Sequence, residues 1–219
     1  MDIKAKLSEK DYAKLIIEGK GLILYQEKPF ITVSGLKELF FLDHRLLYSL
    51  PEARTALANG IVRLILENFK TPEIIVGVAM GAVPLATLVA DKLGLPLVYV
   101  RPNTKEHARK RLVEGFLPKG AKTLIVEDVI IKAKSTINAY HALTNQKADV
   151  LGVVSIYNQK MDSMYENLNK VNLRHHSLYD IDVLLEVSKE IGYLSKERYD
   201  EIMEWRKDPE NFFDAKYRH

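Results

Sequence analysis

The stretch TLIVEDVIIKAKST, Thr123 to Thr136, decides how this chain is read. Leu124-Ile125-Val126 is a short apolar run of the buried-strand kind, and Glu127 and Asp128 follow it at once. A loop-like segment carries Lys132 and Lys134, and Ser135-Thr136 then open a helical pattern. Strand, acid pair, loop and helix start is the order in which an α/β protein seats a sugar-phosphate at the carboxyl edge of a parallel sheet. In a strand the two acids point to opposite faces, so they need not share one ligand. Unpaired neighbouring carboxylates repel and need water or cations. The bland reading is a solvated turn pair.

Outward from this stretch the chain alternates. Residues 74–78 (IIVGV) read as a buried strand, 84–93 as a helix, 96–101 (PLVYVR) as a strand, 135–144 as a helix, 150–157 as a strand and 160–169 as a helix. Continuous β-branched runs between helical patterns predict a mostly parallel sheet covered on both faces. Upstream, residues 8–19 predict a helix with Ser8 as N-cap and Gly19 as stop. Residues 21–33 predict two short strands interrupted near Pro29, 39–45 (LFFLDHR) another apolar run, and 50–69 an amphipathic helix with Pro51 in its first turn. From Asp180 the chain is helical and polar, with Trp205, Phe212 and Phe213 as packing anchors. The expected division is an N-terminal helix and hood over 1–50, a core over 51–178 and a packed helical segment over 179–219.

A chain of 219 residues, 47% hydrophobic and 28% charged, fits one soluble domain with attachments. It contains no cysteine, which excludes disulfides and thiolate metal sites and is compatible with the expected cytoplasmic location. The net charge of +3 is too small to imply nucleic acid, and no apolar run reaches the ~18 residues that a bilayer requires. Neither a nucleic acid nor a membrane is an expected partner.

Three strand ends converge on one edge of this sheet. The first is Val78 to Pro84, where the small residues Ala79, Gly81 and Ala82 let backbone N–H groups approach an anion; its plain alternative is an ordinary βα turn. The second is Arg101, followed by the polar stretch 102–115 with Lys105, His107, Arg109, Lys110 and Arg111. That stretch reads either as a solvated charged turn or as a lid that delivers cations to phosphates. The third is the acid pair. Tyr157-Asn158 end a strand on the same edge and read as base-pocket, core or turn residues. His44 reads as structural. His175-His176 flank a late strand without acids at metal-ligand spacing.

On these residues the chain resembles the orotate phosphoribosyltransferase family along nearly its whole length. FITVSGLKELFFLDHRLLYSLPEAR is similar to the family's N-terminal segment, and VGVAMGAVPLATLVADKLGLPLVYVR to its pyrophosphate-loop unit. RPNTKEHARKRLVEG resembles its flexible catalytic loop, TLIVEDVIIKAKST its phosphoribosyl pyrophosphate (PRPP) motif, and GYLSKERYDEIMEWRKDPENF a bacterial tail. The resemblance implies a type I phosphoribosyltransferase fold: α/β, with a central mostly parallel sheet flanked by helices and a small N-terminal hood. It implies Mg²⁺-dependent conversion of orotate and PRPP to orotidine monophosphate and pyrophosphate, in a homodimer with a shared active site. It assigns catalysis to Lys105, His107 and Asp128. PRPP binding falls to Arg101, Lys105, His107, Glu127, Asp128, Lys132, Lys134 and Ser135, and the pyrophosphate loop to Ala79, Met80 and Gly81. The base pocket falls to Phe40, Phe41 and Tyr157, and indirect metal contact to Asp128.

The departures are local. Ile131-Lys132-Ala133-Lys134 stand where the family carries Thr or Ser followed by Gly, so hydroxyl donors and glycine's freedom are lost while two point charges are gained. Glu38-Leu39 replace the usual Ser-Pro of the hood, and a carboxylate there repels an anionic base unless it turns away. Ala108 replaces the usual Gly after His107, and Pro102 stands where many members have Lys. Two other readings therefore stand beside the enzyme. One is a non-catalytic paralogue that binds a nucleotide or a protein partner. The other is a transferase for another base, with Glu38 accepting from an amino group.

Overall fold

Ser8 caps the first helix as its sequence predicts. In the computed structural model, which describes residues 6–25, 28–32, 35–70, 72–102 and 112–213, α1 spans Glu9–Glu18 and ends at Gly19. The Ser8 hydroxyl accepts from the Asp11 N–H and the Asp11 carboxylate accepts from the Ser8 N–H, a reciprocal box that satisfies two orphan donors. Four short strands follow: β1 (Leu22–Leu24), β2 (Phe30–Ile31), β3 (Lys37–Glu38) and β4 (Phe40–Leu42). β1 pairs with β4 and β2 with β3, both antiparallel, and together they form the hood. β3 was not legible because a two-residue strand has no periodicity to read. A 3₁₀ helix, His44–Ser49, leads into α2 (Pro51–Asn68), whose first turn holds Pro51 as expected.

The core then alternates as β5 (Ile74–Val78), α3 (Val83–Leu93), β6 (Leu97–Val100), β7 (Val113–Glu114), β8 (Lys122–Ile130), α4 (Lys134–Asn145), β9 (Asp149–Asn158), α5 (Asp162–Lys170) and β10 (His175–Asp180). Six strands form one sheet in the order β10-β9-β8-β5-β6-β7, parallel except for β7 at the edge. All five residues of β5 are buried, as expected of a central strand covered on both faces.

The period of two along the strands sorts side chains between two cores. Ile75, Leu124, Val126, Val154 and Ile156 face α1, α2, α3 and the hood, while Ile74, Val76, Ile125 and Val153 face α4 and α5. Each fully buried aliphatic of this set contributes about 1.5–3 kcal/mol. The helices α6 (Ile181–Glu190) and α7 (Lys196–Trp205) close the chain and reach the hood as well as the core. The Trp205 indole N–H donates to the Lys37 carbonyl at 3.0 Å, and its ring meets Phe40 edge-on at 6.0 Å. Among the described residues no helix is long and apolar enough to cross a membrane.

Candidate active site

β8 does not stop at Val126. It runs to Ile130, and Glu127 pairs in register with Ser155 on β9, so the acid pair lies inside the strand and not in a loop after it. Its two members therefore separate by the same alternation that sorts the core. Glu127 follows Ile125 to the α4 face, where it is 3% exposed and accepts from the Ser135 and Thr136 hydroxyls at 2.9 and 3.0 Å. Burial, with the neighbouring Asp128 charge, pushes its carboxyl up to about 8 against the effect of those two hydroxyls. Asp128 follows Val126 to the opposite face and lines a cavity of about 840 Å³ between the strand ends and the hood. Burial raises its pKa too, against the Val129 N–H that donates to it at 2.9 Å. Glu127 is not among the cavity's lining residues, so of the two acids to which the resemblance assigns PRPP binding only Asp128 faces the cavity, as the strand alternation predicts.

Asp128 also explains a glycine. A Cβ on Gly81 would fall 2.2 Å from Asp128 Oδ2, so the loop after β5 requires Gly there to lie against the acid. That loop, Ala79-Met80-Gly81, has a cis Ala79–Met80 peptide and leads into α3. The Tyr48 hydroxyl donates to the Gly81 carbonyl at 3.3 Å, fixing the loop to the 3₁₀ helix. Ala79 lines the cavity; Gly81 stands behind Asp128, and Met80 points outward at 79% exposure. Arg101, just past β6, lines the cavity with its guanidinium bonded to Glu114 at 3.0 Å. Lys105 and His107 lie outside the described residues.

Ala133 caps α4 at φ 55°, ψ 17°, the left-handed conformation that a glycine would adopt without the Cβ clash. Lys134 and Ser135 line the cavity, and among the described residues Lys134 has no ion-pair partner. Lys132 also lines it, but its ammonium is bonded to Glu210 in the C-terminal segment. Its charge acts on Glu38 as well. This lysine therefore reaches the cavity with its charge already paired.

Under the hood, Phe40, Phe41 and Tyr157 all line the cavity as expected. Phe41 packs on Phe30 at 5.7 Å, and Tyr157 sits in a buried aromatic group with Tyr179 at 5.4 Å and His44 at 6.3 Å. Glu38 does not turn away: it lines the cavity at 4% exposure. Burial pushes its carboxyl up to about 8, against the Lys132 charge, so near neutral pH it is chiefly uncharged. In that uncharged form it does not repel an anionic base. Gln159 and His44 line the same cavity at 4% and 1% exposure. Glu38 Oε1, Gln159 Nε2 and His44 Nδ1 are buried and have no partner among the described residues. A buried polar group left unpaired costs about 1–3 kcal/mol, so three around one cavity are a marked feature.

Sequence reasoning missed Gln159 and gave His44 only a structural role. Gln159 immediately follows β9 on the carboxyl edge, and the same strand-end rule that selected Arg101 points to it. His44 holds a buried hydrogen bond between Nε2 and the Tyr179 hydroxyl at 2.6 Å, and burial depresses its pKa to about 3, so it is neutral. His175 and His176 begin β10 and pack edge-on against Tyr165 and Phe69. Among the described residues no group of three His, Asp or Glu forms a metal cage.

The phosphoribosyl transferase domain family matches residues 50–177. The chain is 36% identical over 203 residues to the orotate phosphoribosyltransferase of Bacillus cereus, covering 93% of this chain and 97% of that protein. It is 37% identical over 200 residues to that of Porphyromonas gingivalis, covering 91% and 95%. The crystal structure of orotate phosphoribosyltransferase from Aeropyrum pernix superposes with a TM-score of 0.72 at 22% identity, over 84% of this chain and 99% of that one, which shows the shared fold. By its domain match and by relatives of full length, the chain belongs to the orotate phosphoribosyltransferase family.

Proposed function

We propose that this chain transfers the phosphoribosyl group of PRPP to orotate, giving orotidine monophosphate and pyrophosphate. One observation supports this above the others. The Ala79 loop, Arg101, Asp128 and Ser135 meet around one cavity of about 840 Å³, under a hood bearing Phe40 and Phe41, in a chain of this family. Orotate N1 bonds to ribose C1′ as the bond from C1′ to the pyrophosphate oxygen breaks; the electron pair leaves with pyrophosphate, and the N1 proton is released to pyrophosphate or water. Arg101 and Lys134 supply positive charge along the cavity as that charge builds. Asp128 faces the sugar, holding its hydroxyls and stabilising the cationic ribose carbon. Ser135 stands at the α4 N-terminus, where a 5′-phosphate meets backbone N–H groups. Glu127 is a positioning residue that fixes Ser135 and Thr136. We assign further pyrophosphate contacts to Lys105 and His107.

The donor set fits a Mg²⁺ that takes most of its ligands from substrate oxygens and water, with Asp128 as the nearby protein carboxylate. When bound, the ion neutralises pyrophosphate charge. A homodimer is supported by the exposed apolar side chains of Leu46, Leu50 and Met80, carried by two elements that the Tyr48–Gly81 bond holds together. The absence of cysteine suits a cytoplasmic setting.

Calorimetric titration with PRPP and Mg²⁺, followed by an orotate-consumption assay, tests the reading. PRPP binding with orotate turnover is expected. PRPP-dependent consumption of an amino-bearing base in place of orotate would transfer the assignment to that base, for which buried Glu38 is the supporting observation. A folded protein that binds no PRPP and turns over no base would identify a non-catalytic paralogue. Replacing Ile131-Lys132-Ala133-Lys134 by Thr-Thr-Gly-Gly separates the loop's contribution: tighter PRPP binding is the outcome if these residues weaken the phosphate cradle.

A further inference from the structure

The unpaired polar atoms under the hood are arranged by chemistry as well as by place. Gln159 has its side-chain oxygen engaged by the Tyr157 hydroxyl, which leaves Nε2 as a directed donor with no partner among the described residues. Glu38 Oε1 is an acceptor with no partner there, in the carboxylate form and, through the carbonyl oxygen, in the protonated form. They enter the cavity from different parts of the fold, Glu38 from β3 of the hood and Gln159 from the end of β9. Both sides are held. The Gln159 N–H donates to the Ile130 carbonyl at 2.9 Å, and β3 is anchored by the Trp205 bond to the Lys37 carbonyl at 3.0 Å. An acceptor and a donor in one cavity complement a ring N–H beside a carbonyl, and the imide of a 2,4-dioxopyrimidine carries that pair.

We propose that Glu38 and Gln159 determine base specificity by reading the imide edge: Glu38 accepts the ring N3–H and Gln159 Nε2 donates to the adjacent carbonyl oxygen. This rests on the orotate reading above and adds to it the residues that select the base. A wall of two satisfied groups holds a dioxopyrimidine, and N3-alkylation removes the donor that Glu38 requires. Rejection of such a base follows from the unpaired groups left in the wall more than from any lost attraction.

Steady-state kinetics of Glu38→Leu, Glu38→Gln and Gln159→Leu test the proposal, with KM measured for orotate and for PRPP separately. Glu38→Leu and Gln159→Leu are expected to raise KM for orotate by ~10-fold or more while KM for PRPP stays within about twofold. Glu38→Gln keeps a neutral acceptor and is expected to restore orotate KM to within about threefold of the wild type. If Glu38→Leu does not fold, wild-type protein offered N3-methylorotate against orotate reads the same contact, and strong preference for orotate is the expected result. Unchanged orotate KM in Glu38→Leu, or equal use of the two bases by the wild type, overturns the proposal while leaving the transferase reading intact. Failure of wild-type protein to bind or consume orotate overturns both.

Discussion

The β8–α4 corner and the hood treat buried polar groups in opposite ways. At the β8–α4 corner each is paired: Glu127 holds two hydroxyls, at 2.9 and 3.0 Å, and Asp128 accepts from the Val129 N–H at 2.9 Å. Under the hood, Glu38, Gln159 and His44 each keep one buried atom without a partner among the described residues. Pairing makes the first end rigid before any ligand arrives, which suits groups that must meet a sugar-phosphate in one geometry. The second end keeps its hydrogen-bonding capacity for a base. The departures from the family pattern divide in the same way. Ala133 takes the left-handed conformation that glycine favours, whereas Lys132 and Glu38 bring an ammonium and a buried carboxyl to the base end.

Substitutions that exchange the properties of the two ends sharpen or break this contrast. The largest effect is expected from Asp128→Asn, which keeps the packing against Gly81 but removes the charge that faces the sugar. Its kcat/KM should fall ~100-fold or more, measured by orotate consumption, and near-wild-type turnover would remove Asp128 from the mechanism. Gly81→Ala comes next, because its Cβ would lie 2.2 Å from Asp128 Oδ2. Displacing that carboxylate should weaken PRPP binding in calorimetry and destabilise the fold by about 1–3 kcal/mol. Unaltered PRPP affinity would show that the loop and the acid are not coupled.

Glu127→Gln tests the other acid through pH. The folded-state pKa of Glu127 is raised from 4.5 to about 8. Below pH 4.5 both folded and unfolded chains hold the proton, so the group has no effect on stability there. Between 4.5 and about 8 the unfolded chain ionises first, and stability falls as pH rises, levelling off above 8. Denaturant unfolding across this range should be flatter in Glu127→Gln than in the wild type. Glu38 adds a slope of the same sign over the same window, Asp128 one of the same sign from its lower starting value, and buried His44, lowered from 6.5 to about 3, one of opposite sign below pH 6.5. Equal slopes in variant and wild type would mean that Glu127 is ionised in the fold. The smallest expected change is a gain of about 1 kcal/mol from Ala133→Gly, which relieves the left-handed alanine. A loss of stability on thermal melting would show that the Ala133 side chain packs better than its backbone strains.

Much of the fold was legible because it rests on local patterns. Ser8 and Gly19 bound α1, Pro51 begins α2, and the apolar runs at 74–78 and 150–157 became strands of the parallel sheet. The missed strands, β3 and β7, have two residues each and form only because a partner lies beside them. At the site, Arg101, Asp128, Lys134, Ser135, Phe40, Phe41 and Tyr157 reach the cavity as the strand-end rule and the resemblance implied. Glu127 does not, because β8 continues through the acid pair and its alternation turns that side chain to α4. Lys132 also reaches the cavity, with its ammonium bonded to Glu210, which is distant in sequence.

The sequence by itself determined the alternating α/β order, the position of the acid pair and the small residues after β5, since each depends on neighbours within a few positions. Only the tertiary structure decided that Glu38 is buried and neutral, that Gln159 presents a directed donor, and that the C-terminal helices hold the hood over the base end. The reason is physical: a carboxyl's charge and an amide's free valence depend on desolvation and on partners brought together from β3, β9 and α7. No local run of residues encodes that assembly.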